Sequence, residues 1–217
     1  MKISSLLFFV PFLFCATVSA QRYEVSVGAN LLRLDSKPLG SIATSGGLDT
    51  DTYFKKVSVE GASLRLTWNS KGYFGHEIGY SYNRSKLNVT TRTFDADDNE
   101  IVTRYQQKVK VAQLTYNFLM YMMPAGERFR PYITVGATVQ DYGAPALDLW
   151  TNGSSRNYGG NFGGGIKVRL FPHTQMRLDL RQHFVGSPYD LTFVDSQKLS
   201  GGMMKNANAS VGFGVTF

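Results

Sequence analysis

Cysteine, charged residues and long apolar runs are all scarce in this sequence of 217 residues. Its single cysteine, Cys15, cannot form an intramolecular disulfide, which excludes a disulfide-stapled scaffold. Charged residues make up only 18% and hydrophobic residues reach 43%, so the chain is not intrinsically disordered. After residue 20 no apolar run approaches the roughly 18 residues of a transmembrane helix. A helical membrane protein with several spans is therefore excluded.

The first twenty residues have the pattern of a secretory signal peptide. Lys2 supplies a positive start, residues 6–16 form an apolar run, and Val-Ser-Ala follows at 18–20. A core of this length is too short to cross a membrane as a helix but is typical of an export signal. We therefore expect residues 1–20 to be a signal peptide that is cleaved between Ala20 and Gln21. Residues 21–217 are then expected to form one exported barrel domain.

The rest of the chain is dominated by a two-residue alternation of apolar and polar side chains. In the first segment, for example, Val25 and Val27 alternate with Glu24 and Ser26. Eight such segments occur, at residues 23–31, 61–68, 74–83, 112–118, 133–140, 163–170, 176–184 and 207–217. Period two is the spacing of a β-strand, and an even number of strands suits a closed up-and-down barrel. The sequence predicts an all-β fold, an eight-stranded antiparallel up-and-down transmembrane β-barrel.

The links between these segments alternate in length. Those at 69–72 and 172–175 have tight-turn compositions, and the link at 119–130 is longer. The other four links are long and polar, at roughly 34–56, 84–104, 142–157 and 186–205. Short turns at one end and long loops at the other are typical of outer-membrane barrels, whose short turns and termini lie in the periplasm.

Aromatic residues mark the two ends of the segments. Those at the short-turn ends are Tyr23, Trp68, Phe74, Phe118, Tyr132, Phe171 and Phe217, and those at the loop ends are Tyr80, Tyr82, Tyr142, Phe162 and Phe184. Two aromatic girdles around an aliphatic band are expected at the two interfaces of a membrane, so the apolar face should point outward into lipid. The alternative is a soluble sandwich or lipocalin-like barrel with the apolar face inward, which gives no reason for aromatic residues at strand ends.

The opposite face of the segments carries small polar residues and a set of charged ones. These charged residues are Glu24, Arg65, Glu77, Lys167, Arg169, Arg177, Asp179 and Arg181. The interior of an eight-stranded barrel is just wide enough to be filled by side chains, so opposite charges can pair across it. We expect a structural polar network in the lumen, in which Arg65 and Glu77 join Arg177 or Arg181.

The last segment ends in an aromatic residue, Phe217. Together with segments such as 113–117, 130–137, 163–167 and 177–181, this resembles the small eight-stranded bacterial outer-membrane barrels of the OmpA-like, OmpX-like and opacity-protein group. The resemblance implies a monomeric outer-membrane protein in contact with outer-membrane lipid and lipopolysaccharide. It also implies that periplasmic chaperones and the barrel-assembly machinery are partners, and that Phe217 is the C-terminal assembly signal. Longer members carry a peptidoglycan-binding domain that this sequence lacks, so cell-wall tethering is not expected.

No set of residues predicts a reaction. Some barrels of this size modify lipid A, one type with a His-x-Ser arrangement, but His183 and Ser187 have the wrong spacing, and His183 should face the lumen. The acidic run at 95–100 lacks the glycine and the final glutamate of a calcium loop, and the glycine-rich run at 159–165 does not open a helix. We expect no catalytic residue, no cofactor and no metal site. Despite a net charge of +7, the scattered basic residues form no stacking platform for nucleic acid.

The predicted function is that of a structural or surface-exposed barrel whose loops serve adhesion or environmental contact, without catalysis. A small porin-like channel is the first alternative, and its difficulty is a lumen filled with charged side chains. A lipid A-modifying enzyme is the second alternative, and it lacks a catalytic set. The sequence does not identify the ligand of the loops.

Overall fold

A computed structural model describes residues 22–35, 38–44, 48–54, 58–70, 72–94, 99–143, 154–186 and 203–217. The predicted signal peptide and its cleavage junction lie outside these residues and remain predictions. The centres of two predicted loops, at 144–153 and 187–202, and most of the acidic run, at 95–98, lie outside them as well. In the part of the chain that is described, no helix is long and apolar enough to cross a membrane.

Ten β-strands make up the described fold. They are β1 (Tyr23–Arg33), β2 (Pro38–Thr44), β3 (Leu48–Phe54), β4 (Ser58–Ser70), β5 (Phe74–Phe94), β6 (Glu100–Tyr121), β7 (Phe129–Tyr142), β8 (Ser155–Phe171), β9 (Thr174–Val185) and β10 (Met204–Thr216). All pairings between them are antiparallel.

Eight of these strands close into a barrel. β1 pairs with both β4 and β10, so that Val25 lies opposite Leu66 on one side and Val215 on the other. The wall continues from β10 through β9, β8 and β7 to β6, and β6 pairs with β5 to complete the ring. This confirms the predicted eight-stranded antiparallel barrel. Closure leaves no unpaired strand edge in the wall, so the backbone polar groups are satisfied without water.

Short turns join the strands at the end of the barrel where β1 begins and β10 ends. Gly72, between β4 and β5, has a φ of 74°, and Gly126, between β6 and β7, has a φ of 102°. Because L side chains rarely adopt this left-handed conformation, glycine is the residue that permits these turns. We call this end of the barrel the turn end and the opposite end the loop end.

The loop end differs from the sequence prediction. Residues 34–56 contain the β2–β3 hairpin, and residues 84–104 are mostly continuations of β5 and β6, where polar loops are predicted. The β5–β6 ladder runs without interruption up to Phe94 opposite Glu100. The prediction was wrong because it equated polarity with irregular structure, whereas threonine and valine, frequent in this stretch, favour strands.

The alternation places apolar side chains outside the wall and polar side chains inside. Val27 is 60% exposed and Leu180 is 70% exposed, while Glu77 and Asn117 are fully buried. This is the reverse of a soluble barrel, whose apolar residues fill the interior. The predicted outward direction of the apolar face is therefore confirmed.

Two tyrosines assigned to the aromatic girdles point into the barrel instead. Tyr132 and Tyr142 are only 2% and 0% exposed. Both lie an even number of residues from the inward-facing Thr134, and in a strand this spacing determines the face. Gly165 lies opposite Tyr132, and a Cβ atom there would be 2.7 Å from the Tyr132 Oη, so this glycine makes room for the inward ring.

Candidate functional site

Buried charge is concentrated in the half of the lumen nearer the turn end. We call this set the lumen charge cluster, and its members are Glu24, Arg65, Glu77, Lys167, Arg177, Asp179 and Arg181. β1, β4, β5 and β8 contribute one residue each, and β9 contributes three at alternate positions. The two-residue spacing turns the three β9 side chains to one face, and barrel closure brings the other four towards them.

Arg177 occupies the centre of the lumen charge cluster. Its Nη1 donates to Glu77 Oε2 at 2.7 Å, and its Nε donates to Asp179 Oδ2 at 2.9 Å. Its Nη2 donates to the Tyr132 Oη at 2.9 Å. A guanidinium carries five N–H donors in a fixed plane, so one buried arginine can hold several acceptors in place at once.

Asp179 connects the other two arginines to this centre. Arg181 Nη2 donates to Asp179 Oδ1 at 3.1 Å and to Glu77 Oε1 at 2.8 Å. Arg65 Nη1 also donates to Asp179, and Arg65 Nη2 donates to Ser210 Oγ at 2.8 Å. Arg65 and Glu77 are therefore linked through Asp179 and the arginines of β9 rather than by a direct bond.

Lys167 and Glu24 form a further pair within the cluster. Lys167 Nζ donates to Glu24 Oε2 and, at 2.9 Å, to the Tyr121 Oη. Arg177 Nη1 lies 3.6 Å from Glu24 Oε1, which connects this pair with the rest of the cluster. Each of these charges has been removed from water, so the free energy lost in desolvation is offset only by its partners.

Arg169 lies outside the network in which the sequence places it. It is half-buried at the turn-end opening of the lumen, and no ion pair joins it to the described residues. Arg130, which the sequence analysis did not single out, helps to close this opening. Its Nη2 donates to Gly72 O at 2.8 Å, and its guanidinium carbon lies 3.7 Å from the centre of the Tyr121 ring. Its even spacing from Thr134, on the polar face of the same strand, was the signal that could have identified it.

Neutral polar side chains fill the lumen above the charge cluster, and buried apolar side chains such as Val111, Val185 and Met204 lie at its loop end. His183 Nδ1 lies 2.9 Å from Gln113 Nε2 and 3.0 Å from Thr138 Oγ1, and Asn206 Nδ2 donates to Gln140 Oε1 at 2.9 Å. Thr138 and His183 have the types of a nucleophile and a base. Both are buried inside the wall, where they do not meet lipid.

The two layers leave little free space inside the barrel. Two internal cavities lined by described residues have volumes of about 10 and 20 Å³, which is room for about one water molecule each. Within the described segments, no group of three His, Cys, Asp or Glu residues is placed to hold a metal ion. The arrangement is suited to making the barrel rigid and to obstructing the passage of solutes.

On the outer wall, His76 lies in an aromatic cluster near the turn end. Its ring stacks on Trp68 with the ring centres 5.2 Å apart, and Phe118 meets it edge-on at 5.4 Å. Its Nδ1 lies 2.9 Å from the Tyr116 Oη. The imidazole thus has aromatic neighbours and one polar partner, which allows it to lie on the lipid face of the strand.

Phe217 lies beside the first strand of the barrel. Its backbone N–H donates to Tyr23 O at 2.9 Å, and its carbonyl oxygen accepts from Arg22 N at 3.0 Å. Its side chain is exposed on the outer face, at the turn end. The predicted role of Phe217 as an assembly signal stays a prediction.

Comparison with protein families identifies one match. A family model described as "Outer membrane protein beta-barrel domain" matches residues 7–217. No curated protein matches the chain at a significant level.

Several solved structures share the fold. Neisserial surface protein A (NspA) is 11% identical with a TM-score of 0.56, and the match covers 92% of this chain and 100% of that one. Ail, the attachment invasion locus protein of Yersinia pestis in complex with the heparin analogue sucrose octasulfate, is 12% identical with a TM-score of 0.54 and the same coverage. The outer membrane protein AlkL in DMPC bilayers is 12% identical with a TM-score of 0.53, and the match covers 100% of this chain and 97% of that one. At these identities the likeness establishes the fold alone.

Proposed function

Because this chain belongs to the outer membrane protein beta-barrel domain family and is a protein of the bacterial outer membrane, we propose that it is a surface-exposed barrel that serves adhesion or environmental contact, without catalysis. In outer-membrane barrels the short turns face the periplasm and the longer connections face outward. We therefore infer that the loop end is the side that meets the environment.

A sheet that continues above the wall at the loop end is the observation that carries this proposal. β5 and β6 are 21 and 22 residues long, whereas about 9–11 residues suffice to cross a membrane. β3 pairs with β5 up to Asp49 opposite Arg92, and β2 pairs with β3. The strands β2, β3, β5 and β6 thus form one sheet supported by the barrel. Such a rigid support suits a binding surface.

The lumen favours this function over the two alternatives. A channel needs a continuous path, but the bonds of Arg177 and Arg181 on β9 to Glu77 on β5 cross the lumen from one side to the other. An enzyme acting on lipid needs a reactive pair that lipid can reach, and the Thr138–His183 pair is enclosed by the wall. Neither alternative has an observation of its own in its favour.

The names of two structural neighbours support a contact role. One is named as a surface protein of Neisseria, and the other is named as an attachment and invasion protein of Yersinia pestis. Their identities of 11% and 12% are too low to transfer a ligand. We therefore propose the general role for this chain and leave the ligand to experiment.

Export and assembly complete the proposal. We infer that residues 1–20 are removed between Ala20 and Gln21 and that periplasmic chaperones deliver the chain to the barrel-assembly machinery, which recognises Phe217. The support is the signal pattern of residues 1–20, and the exposed position of Phe217 at the end of a wall strand.

The test is attachment by cells that display the full chain or a shortened one. Asn88 lies directly opposite Gln106, so residues 89–105 can be replaced by a two-residue Asn-Gly turn that leaves the ladder below unchanged. We expect a Gram-negative host without its own adhesins to attach to heparin-coated surfaces only when it displays the full chain. The control is Glu127→Ala with Arg128→Ala in a turn-end link, which should attach like the full chain.

Folding, processing and conduction are measured on the same outer membranes. A band on SDS gels that shifts only on boiling reports the folded barrel, and N-terminal sequencing should begin at Gln21. Equal attachment by the folded shortened variant, or no attachment by the full chain, would contradict the proposal. Discrete conductance steps in planar bilayers would favour the channel instead.

A further inference from the structure

Four cations lie together on the outer face of β5 and β6, just above the apolar part of the wall. We call them the outer cation cluster, and they are Arg84, Lys86, Lys108 and Lys110, all with exposed side chains. Arg84 lies directly opposite Lys110, and Lys86 directly opposite Lys108. The Cβ atoms of directly opposed residues are about 5 Å apart, so like charges in these positions repel each other.

The described part of the chain forms no ion pair with these four cations. No carboxylate in it comes within ion-pair distance of the four cations. The acidic residues on the flanking strands are Glu60 on β4, where the register continues from the Gly61–Asn83 pair towards Arg84, Asp141 on β7, and Asp49 and Asp51 on β3, opposite Arg92 and Thr90. Asp141 already forms an ion pair with Arg156, whose Nη2 lies 3.0 Å from Asp141 Oδ2. The outer cation cluster therefore carries a surplus of positive charge that an external anion can meet.

The height of the cluster along the wall indicates which anion this is. Ten residues separate Phe74, at the turn end, from Arg84. At about 3.4 Å per residue and a tilt of about 40°, this is a rise of about 26 Å. The lipid-facing band of an outer-membrane barrel is about 25 Å tall. Tyr80 and Tyr82 end the apolar face of β5 directly below Arg84, as aromatic residues do at a membrane interface.

We propose that the outer cation cluster is a binding site for the phosphate groups of a phosphorylated glycolipid in the outer leaflet. Phosphate oxygens accept charge-assisted hydrogen bonds from the guanidinium of Arg84 and from the three ammonium groups. The acyl chains then lie along the apolar wall beneath, against residues such as Tyr82 and Leu114. A bound phosphate also relieves the repulsion within the two opposed pairs. The inference rests on the outer-membrane location of the chain and not on adhesion.

Binding of lipid A to the folded full-length mature protein in mild detergent tests this site, with native mass spectrometry as the readout. The cluster variant carries Arg84→Gln, Lys86→Gln, Lys108→Gln and Lys110→Gln. The control variant removes four exposed cations outside the cluster, by Arg33→Gln, Arg104→Gln, Arg128→Gln and Lys205→Gln, and leaves the Arg156–Asp141 pair in place. For diphosphoryl lipid A we expect the Kd of the control to stay within about threefold of the unchanged protein and that of the cluster variant to rise at least about tenfold.

Two more ligands identify the source of the anion. Lipid A stripped of both phosphates should bind the unchanged protein as weakly as diphosphoryl lipid A binds the cluster variant. Sucrose octasulfate represents a sulfated polysaccharide and should bind more weakly than diphosphoryl lipid A.

Three outcomes would overturn the proposal. Equal weakening in the cluster and control variants would show attraction by net charge alone. Undiminished binding of dephosphorylated lipid A would exclude phosphate recognition. Tighter binding of sucrose octasulfate, lost in the cluster variant, would identify a polysaccharide as the ligand.

Heat-shift gels establish that both variants fold, and cell attachment is scored separately, so a failure here leaves the adhesion proposal intact.

Discussion

The lumen charge cluster and the outer cation cluster both contain arginine and lysine, but only the lumen charge cluster also contains the carboxylates that pair with them. In the lumen, Arg177 lies 2.7 Å from the carboxylate of Glu77 and is completely buried. On the outer face, Arg84 and Lys110 are exposed and face each other. The desolvation of a buried charge costs several kcal/mol, so a cation inside the barrel must have its partner in the same chain. An exposed cation stays hydrated and is available to a partner from outside.

The largest effect on stability is expected when one carboxylate is removed from the lumen charge cluster. Glu77→Leu leaves Arg177 and Arg181 without one of their two main acceptors inside a closed wall. We expect the free energy of unfolding to fall by about 3–5 kcal/mol, because an unpaired buried charge remains. Urea unfolding of the refolded barrel in lipid vesicles measures this loss.

A matched control for this substitution is Glu60→Leu. Glu60 is exposed on the outer face of β4, so removing its charge should leave the urea midpoint unchanged. Equal midpoints for Glu77→Leu and the unchanged protein would show that the lumen charge cluster does not contribute to stability.

A smaller effect is expected from Tyr132→Phe. The Tyr132 Oη donates to Asp179 and accepts from Arg177 at 2.9 Å, and the substitution removes both bonds while the ring stays in place. We expect a loss of about 1–3 kcal/mol in the same urea experiment. Tyr80→Phe, at an exposed position on the outer face, is the control and should change nothing. A loss no larger than that of Tyr80→Phe would mean that the arginines and carboxylates hold one another without the phenol.

The smallest effect on stability is expected from the cluster variant on the outer face. Replacing Arg84, Lys86, Lys108 and Lys110 by glutamine removes four charges but no ion pair within the described residues. It also removes two repulsive cross-strand pairs, so the free energy of unfolding should stay the same or rise by up to about 1 kcal/mol. A marked fall in the free energy of unfolding in vesicles without phosphorylated glycolipid would mean that these cations have partners in the chain. The two clusters would then not differ in this respect.

Much of the barrel could be predicted from the alternation of side chains. The eight wall strands all contain segments identified by period two, and Glu24, Arg65 and Glu77 face the lumen as this alternation requires. The extensions of β5 and β6 could not be predicted in the same way. They lie above the lipid, where cations such as Lys108 face outward and Val109 is buried on the other face, so the outward apolar period that marks the wall is absent.

The two candidate sites could also be predicted only in part from the alternation of side chains. Alternation placed Arg177 and Asp179 on one face of β9, but it did not indicate that Asp179 would join Arg65 from β4. Tyr132 was missed inside the lumen because its position near a strand end suggested an interface, and Arg130 was not singled out. The opposition of Arg84 and Lys110 depends on the β5–β6 register.

The class of fold, the outward direction of the apolar face and the inward direction of the charged wall residues could be derived from the amino-acid sequence alone. These follow from local periodicity, since successive side chains of a strand point to opposite faces. Which cation meets which carboxylate and which lysines face each other emerge only in the folded barrel. Those contacts depend on strand register and on closure of the ring. Both are set by pairings between residues far apart in the chain, such as Val25 with Val215.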